Sequence, residues 1–349
     1  MGQRILFFSE EQEKQNIGGS KARQDIDYIL RQRGYTPINS RMCRDFSSPK
    51  NVINSLLSIR INWKRYKKIA QDGDILIIQY PFGDYKTNIY EIKKMKDKKD
   101  ISVIAIIHDL PSIQEGTIDK SLEITLLKEM SMIICHNKKM AEVLVKLGIN
   151  KNRLVCLEIF DYLCDNVDKR KSKDDGITIA GNMSPVKAKY IYKLIDEYQN
   201  KDLIIHLYGP NFENNSFKGY HGSLTPEELI RQIRGSYGLI WDGDSLEECN
   251  GLFGNYQKIN NPHRVSMNLA AKMPILIWRK AALSEYVEEN KVGLVIDSLT
   301  DIDILLQNIT MEKYQEMQKN LEIISDKIRN GHYTNKAIDN ALKKLGELK

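Results

Sequence analysis

Between Trp241 and Ala271 the chain reads WDGDSLEECNGLFGNYQKINNPHRVSMNLAA, and this stretch holds its densest set of residues suited to an anion. Asn261-Pro262 has the form of a helix opening, an Asn cap followed by Pro at the first helical position. His263 and Arg264 then fall in the first turn, with Tyr256 and Lys258 just ahead of them. Cations at a helix N-terminus oppose the macrodipole. They become favourable when an anion sits there, and a nucleotide diphosphate fits. A solvated loop explains these charges poorly.

Four further places have the residue types for chemistry. His108-Asp109 closes an apolar run and can act as a general base on a hydroxyl; alternatively, Asp109 only caps the next turn. Asp84, after Gln79-Tyr80-Pro81-Phe82-Gly83, is a rival base. Asn16-Ile17-Gly18-Gly19-Ser20-Lys21 precedes a helix, where glycines permit close approach and free N–H groups favour phosphate or a polar sugar. The same segment reads equally well as a turn capped by Ser20. It is neither G-x-G-x-x-G nor a P-loop. Asp72-Gly73-Asp74 and Asp242-Gly243-Asp244 pair carboxylates in a way that can hold a divalent cation. The first precedes a strand and reads as a turn. The second lies close to Lys258 and Arg264, which can neutralise phosphate without a metal. A metal-independent site is therefore expected.

The remaining histidines and cysteines read as structural. Asn137 of His136-Asn137 caps a helix, and His206 lies inside a strand. The five cysteines, Cys43, Cys135, Cys156, Cys164 and Cys249, form no C-x-x-C and no even framework. Ile61–Ile69 (INWKRYKKI) mixes Trp63 and Tyr66 with four cations. It reads either as a surface helix with two inward aromatics or as a contact with an anionic membrane through Trp63 and its basic neighbours.

These residues need a frame to hold them. The chain has 349 residues, enough for two domains. Its 42% hydrophobic and 28% charged residues are those of an ordinary globular protein. The net charge of +6 suits polyanionic ligands or an anionic surface without requiring nucleic acid. No apolar stretch reaches the ~20 residues of a membrane span, and the N-terminus lacks the pattern of a signal peptide. A cytoplasmic protein is expected, with a peripheral place at the inner membrane face and a homo-oligomer both allowed.

Short runs apolar on both faces recur at Ile5–Ser9, Asp74–Tyr80, Ser102–His108, Met130–Cys135 and Leu154–Ile159. A second series follows at Ile177–Ala180, Leu203–Tyr208, Tyr237–Trp241, Ile275–Trp278 and Leu294–Ile296. Helical patterns separate them. One has Ala22, Ile26, Ile29 and Leu30 on one face and ends at Gly34; another opens with the capping box Thr225-Pro226-Glu227-Glu228. Such runs are parallel strands covered on both sides. The two series predict two doubly wound α/β domains, 1–165 and 166–329, joined near the charged stretch Asp165–Asp175.

The stretches Tyr237–Gly243, Asn255–Ser266, Leu269–Trp278 and Gly293–Leu299 resemble a group of bacterial glycosyltransferases. That group contains galactofuranosyltransferases and the second-step glucosyltransferases of serine-rich adhesin glycosylation. Gly19-Ser20-Lys21-Ala22 with Asp25, and Ile107-His108-Asp109, match more loosely. The resemblance implies the GT-B architecture, two Rossmann-like domains facing across a cleft, with a last helix, about 330–349, returning to the first. It implies a donor nucleotide on the C-terminal domain, an acceptor on the N-terminal one and no bound metal. Lys258, Asn261 and Arg264 would hold the donor, with His263 and Tyr256 in the same motif. Arg264 stands where such sequences often have Lys. Lys272 and Met273 stand where Gly is frequent before the Pro. Tyr208-Gly209 and Tyr220-His221-Gly222 match loops flanking base and ribose, and Asn182 follows Gly181 on the same side. Gly18, Gly19, Ser20 and Asp84 would line the acceptor side.

The resemblance thus implies transfer of galactofuranose or glucose from a UDP-sugar to a carbohydrate, glycopeptide or lipid-linked glycan acceptor, with inversion and with Asp109 or His108 as base. The rival readings are a nucleotide-sugar epimerase of the same fold and a non-catalytic protein that binds nucleotide sugar.

Overall fold

A computed structural model of the chain describes residues 4–10, 18–40, 49–168, 172–199, 201–214 and 216–348. Asn16, Ile17 and Cys43 lie outside the described residues, as do three positions of the charged stretch, 169–171. The chain divides into two compact units. One comprises Met1–Gln15, Arg23–Glu158 and Thr334–Lys349, the other Asn16–Ala22 and Ile159–Tyr333.

The first unit is built on a six-stranded parallel sheet of β1 (Ile5–Glu10), β2 (Thr36–Ser40), β3 (Ile75–Tyr80), β4 (Ser102–Ile107), β5 (Met132–Cys135) and β6 (Leu154–Cys156), in the order β2-β1-β3-β4-β5-β6. All residues of β3 and β4 are buried, as their largely apolar runs require, with Gln79 and Ser102 the polar members. The strand β2 escapes a reading of the sequence. It is short, contains Pro37, and alternates buried with exposed positions. Pro is tolerated there because β2 is the sheet's edge.

Three helices position the ends of this sheet. In α1 (Gly18–Gln32), Ala22, Ile26, Ile29 and Leu30 are buried, and Gly34 ends the element at φ 73°. In α2 (Pro49–Ile69), Trp63 and Tyr66 are fully buried. Both meet Phe8 of β1 edge-on, with ring centroids 5.6 and 6.2 Å apart. The Trp63 indole Nε1 donates to Asn88 Oδ1 at 2.8 Å, in α3 (Tyr85–Lys99). Of the two readings of this stretch, the helix with two inward aromatics is the one found; the membrane contact through Trp63 is corrected, because an indole satisfied inside the core presents nothing to a lipid surface. The final helix, His332–Leu348, is tied to this unit through Lys336 Nζ to Glu158 Oε1 (2.7 Å) and Lys344 Nζ to the Leu154 carbonyl (3.0 Å).

The second unit carries a five-stranded parallel sheet of β7 (Ile177–Ala180), β8 (Ile205–Tyr208), β9 (Tyr237–Ile240), β10 (Ile275–Trp278) and β11 (Gly293–Ile296), in the order β11-β10-β9-β7-β8. In each sheet the chain steps to one side of its first strand and then returns to the other. The switch points therefore fall between β1 and β3 and between β7 and β9, where doubly wound sheets bind ligands beyond the carboxyl ends of their strands. The capping box at Thr225 forms as read, with Thr225 Oγ1 accepting from Glu228 N (3.2 Å) and Glu228 Oε2 from Thr225 N (2.9 Å).

Candidate active site

In the second unit, β9 ends at Ile240 and delivers Trp241 and Asp242 to the switch point. The helix His263–Ala270 starts with Pro262 in the capping position, one residue later than the sequence suggests. Arg264 in its first turn pairs with the buried Asp242 carboxylate through Nη2, and Gln257 Nε2 donates to the same Asp242 oxygen at 2.7 Å. Burial opposes the charge of Arg264, but Asp242 outweighs it and holds the guanidinium above its usual pKa. Arg264 Nε and Asp242 Oδ1 have no protein partner and are sealed from solvent. Lys258 differs. It is exposed, donates to Asn255 Oδ1 at 2.8 Å, and lies over the Trp278 ring at the end of β10 (5.5 Å to the centroid). The structure thus brings Lys258, Arg264 and the helix start to the ends of β9 and β10. Tyr256 and Asn261 lie beside them, both buried.

His263 is placed differently from its neighbours in sequence. Its ring stacks on Tyr162 (5.1 Å, 29°), meets Phe160 edge-on, and donates from Nε2 to the Asp161 carbonyl at 3.2 Å. Burial lowers its pKa to about 4, so the ring is neutral near pH 7. What His263 can offer an anion is its backbone N–H, not a charge.

The ends of β7 and β8 supply the second group. Gly181 and Gly209 adopt φ values of 139° and 144°. A Cβ on Gly209 would stand 1.9 Å from Gly181 O, so the close approach of these loops demands glycine. Asn182 is exposed, and its Oδ1 accepts from Ser184 N (3.0 Å) and Asn211 Nδ2 (3.1 Å). Tyr220 donates to Gly209 O at 2.9 Å. Tyr208 is buried and stacks on His221 at 4.7 Å, with its hydroxyl directed to the Gln232 carbonyl. His206 is half-buried and hydrogen-bonded to His221 at 3.0 Å, a satisfied structural histidine.

The first unit places His108 and Asp109 directly after β4. His108 Nε2 lies 2.8 Å from Gln79 Oε1, while Gln79 Nε2 donates to Arg23 O at 3.1 Å. With the amide oriented by Arg23, His108 donates from Nε2 to Gln79, which fixes the ring at the end of β4. Arg23 is a residue that sequence reasoning missed. Its guanidinium donates to Glu10 Oε1 (2.8 Å), Gln79 O (2.9 Å) and Pro81 O (3.0 Å), tying the ends of β1 and β3 together. Its one visible signal was an arginine in the first turns after β1. Asp84 caps α3, accepting from Thr87 N at 2.7 Å. Gly18, Gly19 and Ser20 form the first turn of α1. Asn137 caps its helix as read, accepting from Met140 N.

In the two Asp-Gly-Asp triplets, three of the four carboxylates are engaged by protein groups, and the fourth, Asp72, is exposed ahead of β3. Asp242 is committed to Arg264 and Gln257, Asp244 accepts from Asn250 Nδ2 at 2.6 Å, and Asp74 binds Arg4. Among the described residues no group of three or more His, Cys, Asp or Glu is arranged to hold a metal ion.

Known proteins share this chain's two-unit architecture. Residues 6–159 match the family model "Glucosyltransferase 3-like, N-terminal domain", and residues 177–341 match "Glucosyltransferase 3-like, C-terminal domain". The chain is 31% identical to the beta-1,6-galactofuranosyltransferase WbbI of Escherichia coli K12, over 79% of this chain and 81% of that protein. It is 21% identical to glucosyltransferase 3 of Streptococcus gordonii, over 92% of this chain and 93% of the relative. Among solved structures, HepE of Anabaena, in complex with UDP and glucose, superposes with a TM-score of 0.60 at 11% identity, covering 98% of this chain and 100% of that one. Two parallel-sheet units, family models over both halves and a relative at this identity lead to one conclusion: the chain belongs to the glucosyltransferase 3-like family and is a glycosyltransferase of GT-B architecture.

Proposed function

We propose that this glycosyltransferase takes a UDP-sugar, with galactofuranose or glucose as the sugar, and transfers it with inversion to a hydroxyl of a carbohydrate acceptor. The observation that carries the donor half is the meeting of Lys258, Arg264 and a helix N-terminus at the ends of β9 and β10. Exposed Lys258 supplies mobile positive charge to the diphosphate. Arg264, fixed by Asp242, supplies oriented N–H groups, and the helix start adds backbone donors. UDP leaves as the acceptor oxygen bonds to the anomeric carbon, and the hydroxyl proton passes to a base. His108 suits that role, since Gln79 orients its ring at the end of β4; Asp109 is the alternative base. Asn182, Gly209 and Tyr220 border the nucleoside.

The committed carboxylates support a reaction without a metal ion, the lysine and helix start taking the charge that a cation would neutralise. Glycopeptide and lipid-linked acceptors both fit this chemistry. A cytoplasmic site of action belongs to the same reading; no described helix is long and apolar enough to cross a membrane. Calorimetric titration with UDP and GDP in EDTA, on the wild type and Lys258→Ala, tests the donor half. Selective UDP binding weakened by the substitution is expected. Folded wild-type protein that binds neither nucleotide overturns the proposal.

A further inference from the structure

The helix α2 buries Trp63 and Tyr66, and its opposite face is open. Ile53, Leu57 and Ile61 are 56%, 49% and 47% exposed, and Arg60, Lys64 and Lys68 are exposed on the same side. At 100° per residue these six positions fall within an arc of roughly 100°, and from first to last they span about 22 Å. Three branched aliphatics facing water at successive helical turns are not the residues of a solvated face. Three cations interleave with them, and α2 contains neither Asp nor Glu. Lys67, which lies off this face, is paired with Glu91 of α3. That neighbouring helix is itself lysine-rich.

The geometry points to this face as a docking surface for an anionic lipid bilayer, with Ile53, Leu57 and Ile61 entering the headgroup boundary and Arg60, Lys64 and Lys68 meeting lipid phosphates. Charge complementarity selects an anionic partner. The aliphatic row selects a bilayer over a nucleic acid, whose phosphates offer nothing apolar to bury at such a row. The contact lies on a different face of α2 from Trp63, which the core retains. It brings the first unit to the surface where a lipid-linked glycan would be found, and it does not depend on the donor reading.

Flotation of the full chain with phosphatidylcholine vesicles, with and without phosphatidylglycerol, tests the inference at low and high salt. Binding only to the anionic vesicles, weakened by salt, is expected. Leu57→Glu with Ile61→Glu should lower the bound fraction by ~10-fold or more, and Arg60→Glu with Lys64→Glu by a similar factor. All four residues are exposed, so unchanged melting and unchanged UDP affinity confirm an intact fold and separate this result from the donor reading. Leu57→Phe with Ile61→Phe should preserve binding. Failure of the wild type to float with anionic vesicles at low salt overturns the inference. So does vesicle binding that survives Leu57→Glu with Ile61→Glu, or retention on heparin without any vesicle binding.

Discussion

Removing the carboxylate of Asp242 tests whether the candidate donor site rests on a buried ion pair. In Asp242→Ala, Arg264 loses its counter-charge and Gln257 loses an acceptor. Breaking a buried pair by deleting one partner costs about 3–5 kcal/mol, because the remaining charge stays desolvated. Here the side chains are 16% and 7% exposed, so Arg264 recovers some hydration and the cost belongs near ~3 kcal/mol, the lower end of that range. For a unit of this size that is a fall in melting temperature of roughly 6–12 °C. Asp242→Ala combined with Arg264→Leu removes both charges and should be less destabilised than Asp242→Ala alone, since no unpaired cation remains. Scanning calorimetry and urea titration of the wild type, both single variants and the double variant close the cycle. A fall of under ~2 °C in Asp242→Ala, or strictly additive losses in the double variant, would refute the argument that the pair is desolvated and coupled.

Lys258→Ala should weaken UDP binding about tenfold while leaving the melting temperature unchanged, because the lysine is exposed and its loss removes one charge-assisted contact; calorimetry reads the first and thermal denaturation the second. His108→Gln should lower kcat by ~10²–10⁴-fold with little change in donor affinity. If Asp109→Asn shows that loss and His108→Gln does not, the base is Asp109. Acid should destabilise the chain. His263 and His136 are held near pKa 4 by burial against 6.5 when free, so the unfolded state binds more protons between these values. Stability is full above about pH 6.5 and declines by about 1.4 kcal/mol per pH unit per histidine as pH falls toward 4. In urea titrations across that window, His263→Phe should remove one histidine's share of the slope.

The sequence by itself determined the parallel sheets. Largely apolar runs such as Ile75–Tyr80 and Ser102–Ile107 need cover on both faces, whatever the rest of the chain does. It also determined the local caps at Thr225 and Asn137, because a cap is set by residues within one turn; Asp84, read as a rival base, proves to cap α3. The motif around Lys258 and Arg264 was legible for the same reason. Only the tertiary structure decided what those residues touch. Nothing near Arg264 in sequence announces that Asp242, 22 residues earlier, takes its Nη2, or that Asp161 and Tyr162 bury the ring of His263 and neutralise it. The surroundings of Trp63 allowed either an inward or a membrane-facing indole, and packing against Phe8 and Asn88 put it in the core, leaving Ile53, Leu57 and Ile61 outside. The edge strand β2 went unread because half of it faces solvent and it carries a proline. Periodicity and capping are written over a few neighbouring residues, whereas burial and charge pairing depend on which distant segments the fold brings together.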